Sequence, residues 1–312
     1  MKRLAIDIIR LLRPRQWVKN LAVFAAITFT GELFDVAVFE KVFLGFVVFC
    51  AMSSAIYIIN DIFDKEKDRL HPSKKYRPIA HGNISIPLGI TTAAILTFSS
   101  LILGFTITPA FFISVIVYFI LQVSYSVFLK NIAVVDILAL AAGYILRVYA
   151  GEFASGYHIS VWLLLTVISL SLFLAVGKRR SELTLISGYA TSKISLIRKS
   201  LSHYSEKLLD IYASIFATST FISYALFTFL ENPIGLKLSI DLFIPEFLPT
   251  FFQKKWLMIT IIPVVYGLMR YLQDIYEKHE GESPEKVLFS DKPLMATVVT
   301  WIILVIVIIY VV

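Results

Sequence analysis

The chain of 312 residues is 58% hydrophobic and only 16% charged, and its mean hydropathy is +0.79. These values exclude an ordinary soluble domain, in which about half of the residues are apolar and about a quarter are charged. Apolar runs recur from end to end, with no Gly/Ser-rich or Pro-rich linker between them. We therefore predict one all-α integral-membrane domain over residues 1–312.

The first predicted element is an amphipathic helix over residues 1–16. Arginine and lysine are mixed there with leucine and isoleucine, a pattern typical of a helix that lies on the membrane surface. A cleavable signal would need a small-residue cleavage site, which this stretch lacks, so we expect the segment to be retained.

About nine membrane spans are predicted, because nine apolar runs have roughly the 17–25 residues that a helix needs to cross a bilayer. They lie near 18–36, 41–60, 85–104, 110–128, 133–151, 160–177, 209–230, 255–273 and 294–312.

The distribution of lysine and arginine predicts the orientation of these spans. Most of the 29 basic residues fall in the N-terminal segment and in the loops near 61–84, 129–132, 178–208 and 274–293. By the positive-inside rule these segments face the cytoplasm of a bacterial inner membrane, and nine spans place the C-terminus outside. The same bias accounts for the net charge of +7, so we expect no nucleic-acid partner.

Three aspartates at the cytoplasmic end of the second predicted span form the clearest candidate site. Asp61, Asp64 and Asp68 are three and four residues apart, so a helix places them on one face. Stacked carboxylates repel one another near a membrane, and a bound cation compensates for this repulsion. Mg²⁺ suits the site, since it is usually held by one or two carboxylates together with water and phosphate oxygens. The alternative is a solvated loop of mixed charge.

A basic segment stiffened by two prolines follows the acidic face directly. It contains Lys74, Lys75 and Arg77, which can neutralise a metal-bound diphosphate from the side opposite the carboxylates. Acidic and basic groups in this order therefore indicate a diphosphate site. The alternative is that these residues only anchor the loop on the cytoplasmic side.

The acidic motif, Asn60-Asp61-x-x-Asp64-x-x-x-Asp68, resembles the first aspartate motif of the UbiA superfamily of intramembrane prenyltransferases. Long cytoplasmic loops after the even-numbered spans fit this resemblance. Within the superfamily, three stretches are similar to the decaprenyl-phosphate phosphoribosyltransferase branch. They are 12–20 (LRPRQWVKN), 68–80, and 177–183 (GKRRSEL).

The loop after the sixth span separates this branch from ordinary prenyltransferases. A member that uses a prenyl diphosphate is expected to carry a second aspartate motif there, whereas this chain has Lys178, Arg179 and Arg180, with Glu182 nearby. A basic cluster binds phosphate directly. This suits phosphoribosyl diphosphate, which carries a 5-phosphate in addition to its diphosphate.

The resemblance implies a Mg²⁺-dependent enzyme that moves 5-phosphoribose from phosphoribosyl diphosphate to a decaprenyl-like polyprenyl phosphate and releases diphosphate. In that branch the product leads to arabinose donors for cell-envelope glycans. The resemblance assigns catalysis and metal binding to Asp61, Asp64 and Asp68. The expected substrate-binding residues are Lys19, Asn60, Lys74, Arg77, Tyr125, Lys130, Arg147, Lys178, Arg179, Arg180 and Glu182.

Two ionisable residues of the fifth apolar run, Asp136 and Arg147, have no role fixed by the sequence. Such a group inside a span is a candidate functional residue by default, although it can also lie at a membrane interface. The oligomeric state stays open as well, and a homo-oligomer is compatible with the sequence.

Two other functions stay open. A UbiA-type prenyltransferase, which transfers a prenyl group to an aromatic or other acceptor, shares the first aspartate motif but is disfavoured by the missing second one. A transporter would carry charged residues and broken helices near the membrane midplane. Charges that cluster at one membrane face favour an enzyme.

Overall fold

The computed structural model describes residues 2–70, 74–186, 199–231, 255–277 and 284–311. These residues form helices and turns, without a β-strand among them, and eight of the helices are long and apolar enough to cross a membrane. The predicted all-α, multi-pass architecture is therefore confirmed. Residues 71–73 of the predicted basic loop and 187–198 of the later loop lie outside the described ranges.

The helices are numbered in chain order. The α-helices are α1 Lys2–Leu12, α2 Ala25–Phe29, α3 Val36–Phe63, α4 Lys65–Leu70, α5 Pro78–His81, α6 Ile86–Phe105, α7 Pro109–Val127, α8 Val135–Ser155, α9 Val161–Ile186, α10 Glu206–Leu230, α11 Ile261–Glu277, α12 Pro284–Ser290 and α13 Lys292–Tyr310. The 3-10 helices are Pro14–Phe24, Lys74–Tyr76, Leu129–Asn131, Lys199–His203 and Trp256–Thr260.

Several spans begin at side-chain caps that the sequence supplies. Ser85, Thr108, Ser205 and Asp291 each accept a hydrogen bond from a backbone N–H in the first turn of α6, α7, α10 and α13. These bonds satisfy donors that a helix start leaves without an intrahelical partner. Proline in the first turn of α6, α7 and α13 adds a φ that already suits a helix.

The first predicted span, 18–36, does not form a continuous helix. α1 ends at Leu12, Arg13 has a φ of 55°, and an eleven-residue 3-10 helix, Pro14–Phe24, precedes the short α2. Pro14 lacks a backbone N–H and disfavours helical geometry at the residue before it, which explains the break. A 3-10 run of this length is uncommon and often marks a functional segment.

The sixth predicted span is too short, because α9 continues to Ile186 instead of ending near residue 177. Residues 178–182 therefore lie on a helix and not in a loop. The residues that follow Gly177 include lysine, arginine, glutamate and leucine, all of which favour helix.

The described residues divide into two compact units. The first takes those within Met1–Phe24, Glu40–Gly156 and Tyr189–His203, and the second takes those within Ala25–Phe39, Tyr157–Gly188 and Tyr204–Val312. In the first unit, Leu11 of α1 packs with Ile58, Ile79 and Ile84 in a buried cluster. The amphipathic N-terminal helix thus packs against the same unit that carries the aspartates.

The second unit has a buried core around Tyr224 of α10. Its hydroxyl lies 2.6 Å from Oγ1 of Thr260 and accepts a hydrogen bond of 2.8 Å from Nε1 of Trp301. Leu163 and Phe227 pack in the same cluster. These contacts join α9, α10 and α13 within the second unit.

Candidate active site

The three aspartates lie on one continuous helical surface. The backbone N–H of Asp64 donates to the carbonyl of Asn60 (2.9 Å), and that of Asp68 donates to the carbonyl of Asp64 (2.8 Å). Helical geometry therefore carries through the junction of α3 and α4. Asp61 and Asp68 are only 1% and 4% exposed. Buried carboxylates are costly unless they are paired.

Arg77 bridges two of these carboxylates. Its Nη1 lies 3.0 Å from Oδ1 of Asp61 and 2.7 Å from Oδ2 of Asp68. A second guanidinium, from Arg13, reaches the same Asp61 oxygen at 2.5 Å. The basic segment predicted to follow the acidic face thus folds back onto it.

Asp64 is paired with a residue from another helix end. Nζ of Lys130 lies 2.7 Å from both Oδ1 and Oδ2 of Asp64. Lys130 is buried in the 3-10 turn after α7. Oγ of Ser200 lies 2.9 Å from the Lys130 carbonyl oxygen and 3.1 Å from Oδ2 of Asp136. Asp136, which is fully buried, therefore helps to anchor the turn that carries Lys130.

Burial controls the ionisation of Asp68. It raises the pKa of this carboxyl above its ordinary value, and the nearby negative charge of Asp61 acts in the same direction. The positive charges of Arg77 and Lys74 oppose this pKa shift. The basic residues therefore favour the charged form of Asp68.

The remaining residues predicted for this end of the first unit are partly accessible. Asn60, Lys74 and Tyr125 are half-buried. The positive charge of Lys74 lowers the pKa of Asp68 and so opposes the effect of burial. Lys19 is half-buried as well, and its Nζ donates a 2.7 Å hydrogen bond to Oε1 of Gln16.

Arg147 lies 4% exposed inside the span α8. Its Nε donates to Oδ1 of Asn20 (2.7 Å), Nη1 to the Gly143 carbonyl (2.6 Å) and Nη2 to the Tyr118 hydroxyl (2.6 Å). All three acceptors are neutral. Arg147 therefore lies among polar groups of the first unit and does not pair with Asp136.

The basic cluster of the second unit is also paired. Arg179, which is fully buried, donates to Glu182 one turn later. Arg180 makes ion pairs with Asp210 (2.8 Å) and Glu206 (3.1 Å), both on α10. The Tyr276 hydroxyl donates to the same Asp210 oxygen at 2.8 Å. Lys178 is half-buried at the start of this group.

Sequence reasoning missed Arg13, Glu206 and Asp210 as parts of these charged groups. Arg13 could have been suspected because it precedes Pro14, where the helix must end and a basic side chain can turn towards the acidic face. Glu206 and Asp210 carry no such signal. They lie about one helical turn apart in an ordinary helix start, and only packing against α9 brings them to Arg180.

The donor set suits a divalent metal ion. In the described residues the carboxylates do not converge as a ready metal cluster, because basic side chains hold them. Oδ2 of Asp61, however, is buried and has no hydrogen-bond partner in that part of the chain. A buried carboxylate oxygen in this state favours a cation, and carboxylates are the ligands that Mg²⁺ prefers.

Comparison with known proteins shows the family of this chain. The sequence profile described as the UbiA prenyltransferase family matches residues 21–291, most of the chain. The chain belongs to the UbiA prenyltransferase family. The resemblance drawn from the aspartate motif is thereby confirmed.

Two curated relatives of this UbiA-family protein are named decaprenyl-phosphate phosphoribosyltransferase. The protein of Mycolicibacterium smegmatis is 35% identical over 305 residues, covering 96% of this chain and 92% of its own. The protein of Corynebacterium glutamicum is 34% identical over 314 residues, covering 99% and 89%. The similarity therefore extends over nearly the whole UbiA-family chain.

A solved structure shows the same fold. A UbiA homolog from Archaeoglobus fulgidus, bound to GPP and Mg²⁺, superposes with a TM-score of 0.68 and covers 97% of this chain and 99% of its own. Its sequence is 18% identical to this UbiA-family protein. At this identity the likeness concerns the fold alone.

Proposed function

We propose that this protein is a Mg²⁺-dependent transferase that moves 5-phosphoribose from phosphoribosyl diphosphate to a polyprenyl phosphate. The observation that carries the proposal is the set of paired charges in the first unit, in which Asp61 and Asp68 share Arg77 and Asp64 holds Lys130. Such a site presents metal ligands and phosphate ligands side by side. The names of the full-length relatives support phosphoribose and polyprenyl phosphate as the substrates.

Asp61, Asp64 and Asp68 would hold the metal ion. Bound there, Mg²⁺ would neutralise the diphosphate that leaves the sugar. The UbiA homolog from Archaeoglobus fulgidus is bound to GPP and Mg²⁺, which supports the proposal of a metal-dependent reaction. The unpartnered Asp61 oxygen supports the same assignment from this chain's own geometry.

The chemical change is an exchange of oxygen at the anomeric carbon of ribose. The bond from this carbon to the diphosphate oxygen breaks, and a bond to an oxygen of the lipid phosphate forms from the opposite face. The diphosphate leaves with the bonding electron pair. The acceptor is already an anion, so no strong base is required, and catalysis depends on positioning and charge neutralisation.

The chain's basic residues would supply that neutralisation. Arg77 and Lys130 hold carboxylates in this structure, and we propose that they contact phosphate oxygens when substrate and metal take over the carboxylates. Lys19 and Lys74 are half-buried and would contact phosphates as well. Arginine can do so through two parallel hydrogen bonds, whereas lysine acts as a point charge.

We propose that the basic residues of α9 bind phosphate. Lys178 is half-buried, while Arg179 and Arg180 already pair with Glu182, Glu206 and Asp210. We propose that these acids hold the two guanidinium groups in place. Each guanidinium has five N–H donors, so some of them stay available for phosphate. Glu182 would also accept a hydrogen bond from a ribose hydroxyl.

The lipid tail requires an apolar surface next to the site. A groove of about 400 Å³ in the first unit is lined by Ile59, Phe63, Ile90, Phe98 and Phe119, among others. Phe63 is the last residue of α3, so this groove reaches the helix end that is followed by Asp64. We propose that the first isoprene units of the acceptor lie there.

The multi-pass protein would lie in a bacterial inner membrane with its N-terminus and active site on the cytoplasmic side. The positive-inside distribution of lysine and arginine supports this orientation. Phosphoribosyl diphosphate is highly charged and would reach the site from water, whereas the polyprenyl phosphate would reach it from the bilayer.

A direct assay tests the proposed reaction. Detergent-solubilised protein is incubated with labelled phosphoribosyl diphosphate, a polyprenyl phosphate and Mg²⁺, and the label is followed into the lipid phase. We expect labelling that a chelator abolishes and that added Mg²⁺ restores. Activity only with a prenyl diphosphate and an aromatic acceptor would instead support a UbiA-type prenyltransferase.

Replacing Lys130 by methionine is expected to raise KM for phosphoribosyl diphosphate by roughly 10- to 100-fold, the equivalent of one hydrogen bond between charged groups. The methionine keeps the apolar stem but removes the charge that Asp64 holds at 2.7 Å. Steady-state kinetics at saturating polyprenyl phosphate measure the effect. Lys67→Met changes an exposed lysine of α4 and should leave KM unchanged; equal effects of the two variants would contradict a specific role for Lys130.

A further inference from the structure

Arg147 is a buried cation in a membrane span, and among the described residues its hydrogen bonds go to neutral acceptors. Its three hydrogen bonds go to the Asn20 amide oxygen, the Gly143 carbonyl and the Tyr118 hydroxyl, at 2.7, 2.6 and 2.6 Å. Its guanidinium carbon also lies 4.8 Å from the centre of the Tyr118 ring and 5.7 Å from that of Tyr144. Burying a charge inside a span is costly, which makes Arg147 a candidate functional residue.

The partner that Arg147 holds in another segment is Asn20. Asn20 is fully buried in the long 3-10 helix Pro14–Phe24, and its Nδ2 donates to Sγ of Cys50 (3.3 Å) and Oγ of Ser53 (3.2 Å) on α3. Arg147 supplies the bond on the opposite side, from α8. Asn20 is therefore fixed between two spans of the first unit.

A second feature of α8 acts on the same segment. Gly151 lies one turn after Arg147, and a Cβ at this position would be 1.8 Å from the carbonyl oxygen of Val23. The backbone of the 3-10 helix thus rests directly against α8, which only glycine allows. Arg147 and Gly151 together hold both ends of the stretch from Asn20 to Val23.

The segment held in this way carries two basic residues of the site. Arg13, directly before it, reaches Asp61 at 2.5 Å, and Lys19 is the neighbour of Asn20. An extended 3-10 helix has weaker internal hydrogen bonds than an α-helix, so outside contacts must determine its position.

We propose that Arg147 is a positioning residue of the active site: through Asn20 it fixes the 3-10 helix and so places Lys19 for the substrate phosphate. It acts without touching the substrate itself. The inference rests on the proposed function only in naming the ligand as a phosphate. The fixing of the segment is a property of the protein without substrate.

Cys50 gives a readout that needs no substrate. It is the only cysteine of the chain, it is 5% exposed, and it accepts the hydrogen bond from Asn20. In Arg147→Lys the charge remains but the forked set of bonds to three acceptors is lost. We expect Cys50 to react with N-ethylmaleimide roughly tenfold faster in this variant, because the segment that covers it is released.

Kinetics supply the second readout. We expect KM for phosphoribosyl diphosphate to rise by roughly tenfold or more in Arg147→Lys while kcat changes less, since a contact made in the ground state is misplaced. Gly151→Ala should produce both effects through displacement of Val23. Gly267→Ala is the matched control, because the nearest atom to a Cβ there is Cγ2 of Thr297 at 3.8 Å.

Each outcome decides the proposal. Faster labelling with raised KM in Arg147→Lys and Gly151→Ala, and neither effect in Gly267→Ala, supports it. A labelling rate of Cys50 in Arg147→Lys equal to that of the wild type overturns it, whether or not activity is lost. The 3-10 helix would then stay in place without the hydrogen bonds of the guanidinium group. Where Arg147→Lys does not purify as folded protein, Gly151→Ala decides by the same two measurements. An inactive wild-type protein in the transfer assay would overturn the proposed function but leave the labelling result interpretable.

Discussion

Asp64→Asn and Asp61→Asn are each expected to lower kcat by about a thousandfold or more, because a site that loses a metal ligand loses several kcal/mol of leaving-group stabilisation. The amide has nearly the same shape as the carboxylate but is neutral. In Asp64→Asn the ammonium of Lys130 also loses the partner that it contacts with both carboxylate oxygens. The transfer assay at saturating Mg²⁺ measures the loss.

Folding should survive these substitutions, and a control shows whether the loss is specific. We expect the variants to insert and purify as folded protein, because asparagine keeps the packing, but with lower thermal midpoints in detergent, because the facing cations lose a charged partner. Glu66→Gln is the matched control, since Glu66 is exposed on α4 and pairs with Arg69, which is not among the site residues. Its activity should be that of the wild type. Substantial turnover in Asp64→Asn would refute the metal assignment.

Arg77→Met is expected to be the most destabilising single change at the site. It leaves Asp61 and Asp68 as neighbouring buried carboxylates, and breaking a buried ion pair by removing one partner costs about 3–5 kcal/mol. Arg13 still contacts Asp61, so the loss falls mainly on Asp68. Chemical or thermal unfolding of the purified protein measures the difference.

The destabilisation of Arg77→Met should depend on pH with a definite sign. Burial and the charge of Asp61 already raise the pKa of Asp68, and Arg77 is the main group that opposes them. Without it the folded protein binds a proton at Asp68 more tightly than the unfolded chain does. Stability is then retained at low pH and lost as the pH rises from the ordinary aspartate value, about 3.9, through the raised pKa.

A second substitution separates charge from packing. Arg77→Met combined with Asp68→Asn removes the unbalanced carboxylate, and we expect it to recover most of the lost stability but none of the activity. Lys75→Met, in the same 3-10 turn but exposed, should change neither. A double variant that is no more stable than Arg77→Met would show that the guanidinium contributes by packing alone.

Much of the fold could be predicted from the sequence, because a membrane span leaves a long apolar run wherever it occurs. Eight of the nine predicted spans are helices of span length, and the exception, 18–36, is the segment in which tertiary contacts compete with helix formation. Pro14 is a sequence signal for the end of α1, because proline disfavours helical geometry at the residue before it. The 3-10 helix has no such signal, because its contacts are with residues distant in sequence: Ser53 of α3, and Arg147 and Gly151 of α8.

The candidate site divides in the same way. The stacking of Asp61, Asp64 and Asp68 follows from helical spacing alone and appears as predicted. Arg77 pairs with two of them only because the segment that carries it folds back onto the aspartates. The two prolines and the basic residues of that segment are compatible with such a fold but do not define it. The acids around Arg180 were missed entirely, since Glu206 and Asp210 are 26 and 30 residues away from it and their own helix shows no special pattern.

The sequence by itself determined that this protein is an all-helical membrane protein of the UbiA family with an acidic face at one span end. Composition, periodicity and spacing are properties of single segments, so they can be taken from the chain without its fold. Only the tertiary structure decided which cation meets which carboxylate, that Arg13 belongs to the site, and that Arg147 acts on Asn20. These are contacts between segments distant in sequence, and their geometry depends on how neighbouring helices pack within a unit.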